Sequence, residues 1–337
     1  MSTAQPTDTE PQNTAAPASG VSEALKRQLQ QGLAFGTLIV LLIFFSIFGN
    51  NFLTWSNISS ILLATAVIGI LALGTTFVII TGGIDLSIGT GMTLCAVMTG
   101  VFITNWGLPM WAGVLGGIGT GVLMGWINGM NITFLRLPPF IATLAMMMIA
   151  QGLALVVSGV KPIYFSGSAP TFKQLALGTI IPGLPNAVLI TVGAGVVAFL
   201  VLNKSLLGRY DFAIGSNEEA ARLSGVNTRR WKIAIYMFAG LFTGLAGVVL
   251  AARLDSAQPQ LGSGYELQAI AAVIIGGTSL LGGRGSIVGT VIGALIMSVL
   301  INGLRIMSIQ TEWQTVVVGI VILIAVFFDS LRNRTSS

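Results

Sequence analysis

Residues 28–135 carry one charged side chain, Asp85, in a stretch otherwise dominated by Leu, Ile, Val, Ala, Gly, Phe and Thr. A helix that meets water needs a polar face recurring every three or four residues, and this stretch offers none. The rest of the sequence agrees: 54% of residues are hydrophobic, 8% are charged and the mean hydropathy is +0.89, against roughly 25% charged residues in soluble domains. The chain is read as an all-α polytopic membrane protein.

A membrane crossing takes about 20 mostly apolar residues. The segments that qualify are 31–49, 58–80, 86–105, 109–132, 138–160, 185–203, 232–252, 266–282, 286–304 and 313–330, ten in all. Lysine and arginine collect on the cytoplasmic side of short loops. With the N-terminus inside, Lys26, Arg27, Arg136, Lys204, Arg209, Arg222, Arg229, Arg230, Lys232, Arg284, Arg332 and Arg334 are cytoplasmic, and Lys161, Lys173, Arg253 and Arg305 lie outside. Twelve against four fixes both termini in the cytoplasm. Removing one central crossing would send the dense 204–232 cluster to the wrong side. The net charge of +5 therefore reflects topology, and no basic patch interleaved with aromatics points to nucleic acid.

Residues 1–28 are rich in Pro, Thr, Ala and Gln without an apolar period, and are predicted to be a disordered cytoplasmic tail. Residues 29–332 form the transmembrane domain with one cytoplasmic loop at 203–232, and 333–337 form a second tail. The first apolar run is followed by "FGNNFLTW", which lacks a small-residue cleavage pattern, so it is expected to stay as a span. There are no histidines, and the one cysteine, Cys95, has no partner for an internal disulfide. That removes Ser/His/Asp chemistry and the commonest metal ligand. No catalytic residue, no metal site and no cofactor on this chain is predicted.

Glycine recurs at helical spacing in "GVLGGIGTGVLMGWINGM" and "GTVIGALIMSVLINGL", which lets helix backbones approach closely in lipid. Both segments end on Asn-Gly, at Asn128-Gly129 and Asn302-Gly303, and cross in opposite directions as the fourth and ninth spans. This hints at a five-plus-five inverted repeat.

Asp85 lies in "TGGIDLSIG". Gly82 and Gly83 break the second span, and Asp85, two residues before Ser87, is placed to cap the third. The same irregular backbone is tolerated in a membrane only where protein or water satisfies it. Gly82, Gly83, Asp85, Ser87 and Asn128 are therefore candidates for a translocation path or gate, and the cap and gate readings are compatible.

The long polar loop, Asn203 to Lys232, has internal order. Ser216 followed by Glu219 reads as a capping box, Gly225 reads as the stop, and Ala220 and Ala221 are small enough to lie against a partner. Ser216, Glu218, Glu219, Ala220, Ala221 and Gly225 form the predicted coupling element. Glu219-Ala220-Ala221 followed after three residues by Gly225 resembles the EAA loop of ABC importer permeases, without the Leu-Pro of the longer consensus. No G-x-x-x-x-G-K-[ST] occurs, and "GGRGSIVG" lacks the lysine, so ATP must be bound on another subunit.

Three stretches together, "TGGIDLSIG", "GSNEEAARLSGVN" and "ARLDSAQPQLGSGYELQAIAAVIIGGTSLLGGRGSIVGT", resemble the monosaccharide (ribose, xylose, arabinose, galactose) branch of the ABC importer permeases, from the first span to Arg332. The resemblance implies a bacterial inner-membrane permease that works as a homodimer. It also implies a separate ATPase carrying ATP and Mg, and an extracytoplasmic sugar-binding protein. D-ribose is the first expected cargo, with xylose, allose, galactose, inositol or autoinducer-2 as alternatives. Arg253, Lys161, Lys173 and Arg305 are the candidates for docking the binding protein. Arg253 stands near Asp255, Gln258 and Glu266, and an Arg253–Glu266 pair would make it structural instead. An ion-coupled secondary transporter with Asp85 as the titrating group is the competing class.

Overall fold

A computed structural model of the chain describes residues 20–334, with the side chains of 32–331. Residues 1–19 of the predicted tail, residues 335–337, and the side chains of Lys26, Arg27, Arg332 and Arg334 lie outside the described residues. The helices run α1 (Gly20–Phe48), α2 (Trp55–Ile80), α3 (Ile88–Gly100, extended by a π-helical turn, Val101–Asn105), α4 (Met110–Thr133), α5 (Pro139–Ser158), α6 (Gln174–Leu177), α7 (Asn186–Lys204), α8 (Leu206–Ser216), α9 (Glu218–Leu223), α10 (Thr228–Leu254), α11 (Tyr265–Ile275), α12 (Ile287–Ile306) and α13 (Thr311–Arg334). A ribbon of β1 (Ile163–Tyr164) and β2 (Ser256–Ala257) pairs antiparallel, Ile163 opposite Ala257. It joins the ends of α5 and α10 on one face.

Every expected span falls on a helix. Among the described residues eight helices are long and apolar enough to cross a membrane, and two apolar helices, Gly32–Phe48 and Tyr265–Ile275, are shorter. Two boundaries differ from expectation. Helix α1 begins at Gly20, inside the stretch read as tail. The eighth segment, expected to reach 282, stops as a helix at Ile275, because Gly277, Gly282 and Gly283 adopt positive φ and turn the chain before α12.

The glycine spacing serves close packing, as the sequence implied. A Cβ on Gly121 would collide with the Gly240 carbonyl, one on Gly125 with the Tyr236 carbonyl, and one on Gly129 would stand 2.8 Å from Ile233 Cα. Helix α4 therefore lies backbone to backbone on α10. Other large packings are α2 on α10 and α12, α3 on α4 and α5, and α11 on α12. Helix α2 is the most buried span, while α5, α7 and α13 expose most of their surface.

Two long helices thus end in irregular connections followed by shorter helices: α2 breaks at 81–87 before α3, and α10 breaks at 255–264 before α11. The first turns of the two shorter helices meet. A Cβ on Gly89 would collide with the Glu266 carboxylate and lie 2.5 Å from the Gly262 carbonyl oxygen. This junction is within the helical layer, since neighbouring Gly91 packs on Met124, about two and a half turns inside the end of α4.

Candidate functional site

The first break carries the buried carboxylate. Thr81 ends α2, Gly82 takes φ +78°, and the chain runs without regular secondary structure through Ile84 and Asp85. Asp85 is 4% exposed. Its Oδ1 accepts from the Ser87 amide at 2.8 Å and the Ser87 hydroxyl at 2.6 Å. The Asn128 amide on α4 donates to the same hydroxyl at 3.0 Å. The structure thus brings Asp85, Ser87 and Asn128 into one buried network at the start of α3. Thr143 of α5 receives the Leu86 amide and donates to the Ile84 carbonyl, tying the break to the exposed helix.

Sequence reasoning missed Tyr236. Its hydroxyl lies against Gly83, where a Cβ would stand 2.6 Å away, and like Asn128 Oδ1 it is buried without a hydrogen-bond partner among the described residues. Two orphaned polar atoms beside a satisfied carboxylate leave the network able to re-pair when α4, α10 or the break shifts.

The loop predicted for coupling holds two helices rather than one. Asn217, not Ser216, is the cap: its Oδ1 accepts from the Ala220 amide at 2.9 Å, while Ser216 closes α8. Both residue types cap well, and the adoption of helical geometry through Ser216 decides between them. Gly225 ends the short helix with φ +86°, as expected. Glu219 pairs with Arg222 and Glu218 with Lys232, each at 2.6 Å. Ala221 is buried on its own chain, whereas Ala220 and Leu223, the latter 79% exposed, face outward. A cleft of about 1000 Å³ runs between this helix and the turn carrying Arg136 and Pro138.

Helix α8 joins the loop to the end of α2 and to the turn before α12 through bare backbone. The Gly283 amide donates to the Ile80 carbonyl at 2.9 Å. A Cβ on Gly215 would collide with that same carbonyl and stand 2.6 Å from the Gly283 nitrogen; one on Gly283 would stand 2.8 Å from Ser216 Oγ. The end of α2, the turn before α12 and the end of α8 therefore meet at one point. Asp211, on the same helix outside the spans, is fully buried with neither carboxyl oxygen partnered among the described residues. Burial pushes its pKa well above the usual carboxylate range, which favours the neutral acid.

The remaining candidates stand apart. Lys161, Lys173 and Arg305 are exposed, whereas Arg253 is half-buried and its guanidinium donates to the Leu63 carbonyl at 3.3 Å. Glu266 does not pair with Arg253: it accepts from the Gly264 amide two residues back, at 3.0 Å. The turn before α11 satisfies the carboxylate locally, so the guanidinium is left to α2.

Comparison with known proteins places these features in a family. Residues 57–326 match the family described as the permease component of the branched-chain amino acid transport system. The Ribose import permease protein RbsC of Bacillus subtilis (strain 168) is 46% identical over 296 residues, covering 88% of this chain and 91% of the relative. RbsC of Escherichia coli (strain K12) is 39% identical over 319 residues, 94% of this chain and 98% of the relative. The Fructose import permease protein FrcC of Rhizobium meliloti is 38% identical over 325 residues, 94% of this chain and 90% of the relative. With four-fifths of its length inside the matched region and its breaks, its 203–232 loop and its glycine-packed helices all within it, the chain belongs to this family of transport permeases.

Proposed function

We propose that the chain is the membrane permease of an ATP-driven importer for a monosaccharide, D-ribose, in the bacterial inner membrane. The relatives named for ribose support the cargo, and each relative compared is named as an import permease, which does not favour an ion-coupled transporter. A permease of this kind is not itself an enzyme; a separate ATPase subunit hydrolyses ATP.

One observation carries the mechanism: the backbone junction of Gly215, Ile80 and Gly283. An ATPase docking on α9, through Ala220, Leu223 and the Glu219–Arg222 face, would move α8. Helix α8 cannot move without displacing the end of α2, and with it the 81–87 break that holds Asp85. ATP thereby biases a two-state path, through its differential affinity for the closed ATPase pair. The binding protein would dock on the opposite face, where exposed Lys161, Lys173 and Arg305 offer charge to acidic surfaces. Arg253 serves that face by holding α10 to α2.

The same reading takes ten crossings with both termini cytoplasmic, a second copy of the chain completing the path, and a five-plus-five inverted repeat. The packing supports the repeat: α2, its break and α3 correspond to α10, its break and α11, and α4 on α10 corresponds to α12 on α2. The exposure of α5 supports a partner across the path.

The deciding measurement is uptake of radiolabelled D-ribose by cells lacking the gene, with and without a plasmid copy, challenged with unlabelled pentoses and hexoses. Restored uptake that ribose alone competes away is the expected result. No restoration with the protein present in the membrane would discard ribose.

A further inference from the structure

Beside the second helix break lies a recess that none of the functions above uses. Where α3, α5 and the 258–264 connection meet, its wall comprises Thr90, Thr93, Gln151, Pro259, Gln260 and Ser263, with Gly262 at the base. Gln151 is half-buried near the middle of α5, a helix otherwise made of apolar residues and a few hydroxyls. A primary amide there loses its water and gains nothing from lipid. Among the described residues no protein group partners the side chains of Gln151, Gln260 or Ser263. Thr90 and Thr93 do donate, to the Met147 and Gly89 carbonyls at 2.9 and 3.4 Å, and their hydroxyl oxygens remain free to accept.

The chemistry of the wall is uniform. Every side-chain polar group in it is an amide or a hydroxyl, each able both to donate and to accept, and none is ionisable. The nearest carboxylate, Glu266, is behind Gly89 and already accepts the Gly264 amide. A zwitterionic amino acid would need charge partners that this wall lacks. A polyol needs a set of weak, interchangeable donors and acceptors, and Pro259 supplies a flat apolar surface for carbon. The recess also occupies the meeting point of two discontinuous helices, where transporters of several folds hold their cargo.

We infer that this recess is the cargo-contact point of the permease and that it takes an uncharged polyhydroxyl compound, whose hydroxyls exchange water for the Gln151 and Gln260 amides and the Thr93 and Ser263 hydroxyls in passing. The inference rests on the reading of the chain as a monosaccharide permease. The recess has a volume of about 10 Å³, room for about one water, so this is the closed path. Opening requires α5 to part from α3 and the 258–264 connection. Helix α5 has few buried residues, and its tie to the first break through Thr143 gives it a handle on the cytoplasmic side.

The test uses the full complex of permease, ATPase and binding protein in proteoliposomes. Wild type is first assayed with labelled D-ribose, D-fructose and L-leucine. In the Gln151→Leu/Gln260→Leu variant, uptake of the transported sugar falls about tenfold, while ATP hydrolysis stimulated by the loaded binding protein stays within about twofold of wild type. Uptake equal to wild type in that variant overturns the inference. A wild type that carries fructose and not ribose removes the cargo assignment above and leaves the recess to be tested with fructose; one that carries only leucine overturns both. Should the double variant not accumulate, Gln260→Cys decides, because the native thiol, Cys95, is buried. Its labelling by a water-soluble thiol reagent slows about threefold during sugar transport, and labelling indifferent to transport overturns the inference.

Discussion

The breaks at 81–87 and 255–264 share one design and differ in their tethers. Each interrupts a long helix, places a carboxylate beside the first turn of a shorter one, and meets the other at Gly89 and Gly262. The first is fastened to α8 through Ile80, Gly283 and Gly215, and its Asp85 reaches forward to Ser87 within a network that Asn128 of α4 joins. The second is fastened to the end of α5 through the β ribbon, and its Glu266 bonds two residues back. On the function proposed above, one break would answer to ATP and the other to cargo delivery, and the contact at Gly89 would link them.

That contrast can be broken most severely where the breaks meet. Gly89→Val drives a side chain into Glu266 and Gly262 and costs about 3 kcal/mol; membrane abundance and thermal melting in detergent should both fall sharply. A normal melting curve would mean that the two breaks part without cost. Next in size is Gly215→Val, which leaves the permease in the membrane but lowers uptake about tenfold while ATP hydrolysis continues. Equal loss of both activities would place the lever elsewhere.

The two carboxylates sharpen the comparison at lower amplitude. Asp85→Ala deprives buried Ser87 of its acceptor and costs about 1–3 kcal/mol, whereas Asp85→Asn keeps an acceptor oxygen and costs about 1 kcal/mol or less. Glu266→Gln, within its local turn, should be milder still and leave transport coupled. A pH dependence tests the lever itself. Asp211 stays protonated in the folded state where the unfolded chain has ionised, so its contribution to stability is full below the ordinary carboxylate range and declines as pH rises above it. Asp211→Asn should flatten the fall in melting temperature between about pH 5 and 8; an unchanged slope would assign the titration to another group.

Much of this architecture was legible because lipid imposes a simple rule. Apolar runs had to be helices, and glycines four apart, from Gly113 to Gly129, had to pack closely on neighbours, which proved to be α3 and its π-helical turn for Gly113 and Gly117 and the α10 backbone for Gly121, Gly125 and Gly129. The features that escaped depend on tertiary contact. The sequence "LLGRYDFAIGS" reads as loop, yet its Gly208, Asp211 and Ile214 form the buried face of α8. Leu280 and Leu281 look like the end of a span, but the positive φ of Gly277, Gly282 and Gly283 makes them a turn. Tyr236 is an unremarked aromatic in an apolar run until the fold sets it against Gly83. Asp85, Ser87 and Asn128 could be found separately by type, and their common network only by geometry.

The meeting of Gly215, Gly283 and Ile80 bears on how finely a stroke can be passed. Side chains at a joint absorb small displacements by shifting between rotamers, as worn teeth absorb the first part of a gear's turn. Here main chain bears on main chain, and a peptide plane has little such slack. The linkage therefore has almost no backlash: a shift of α8 smaller than one rotamer hop already arrives at the end of α2.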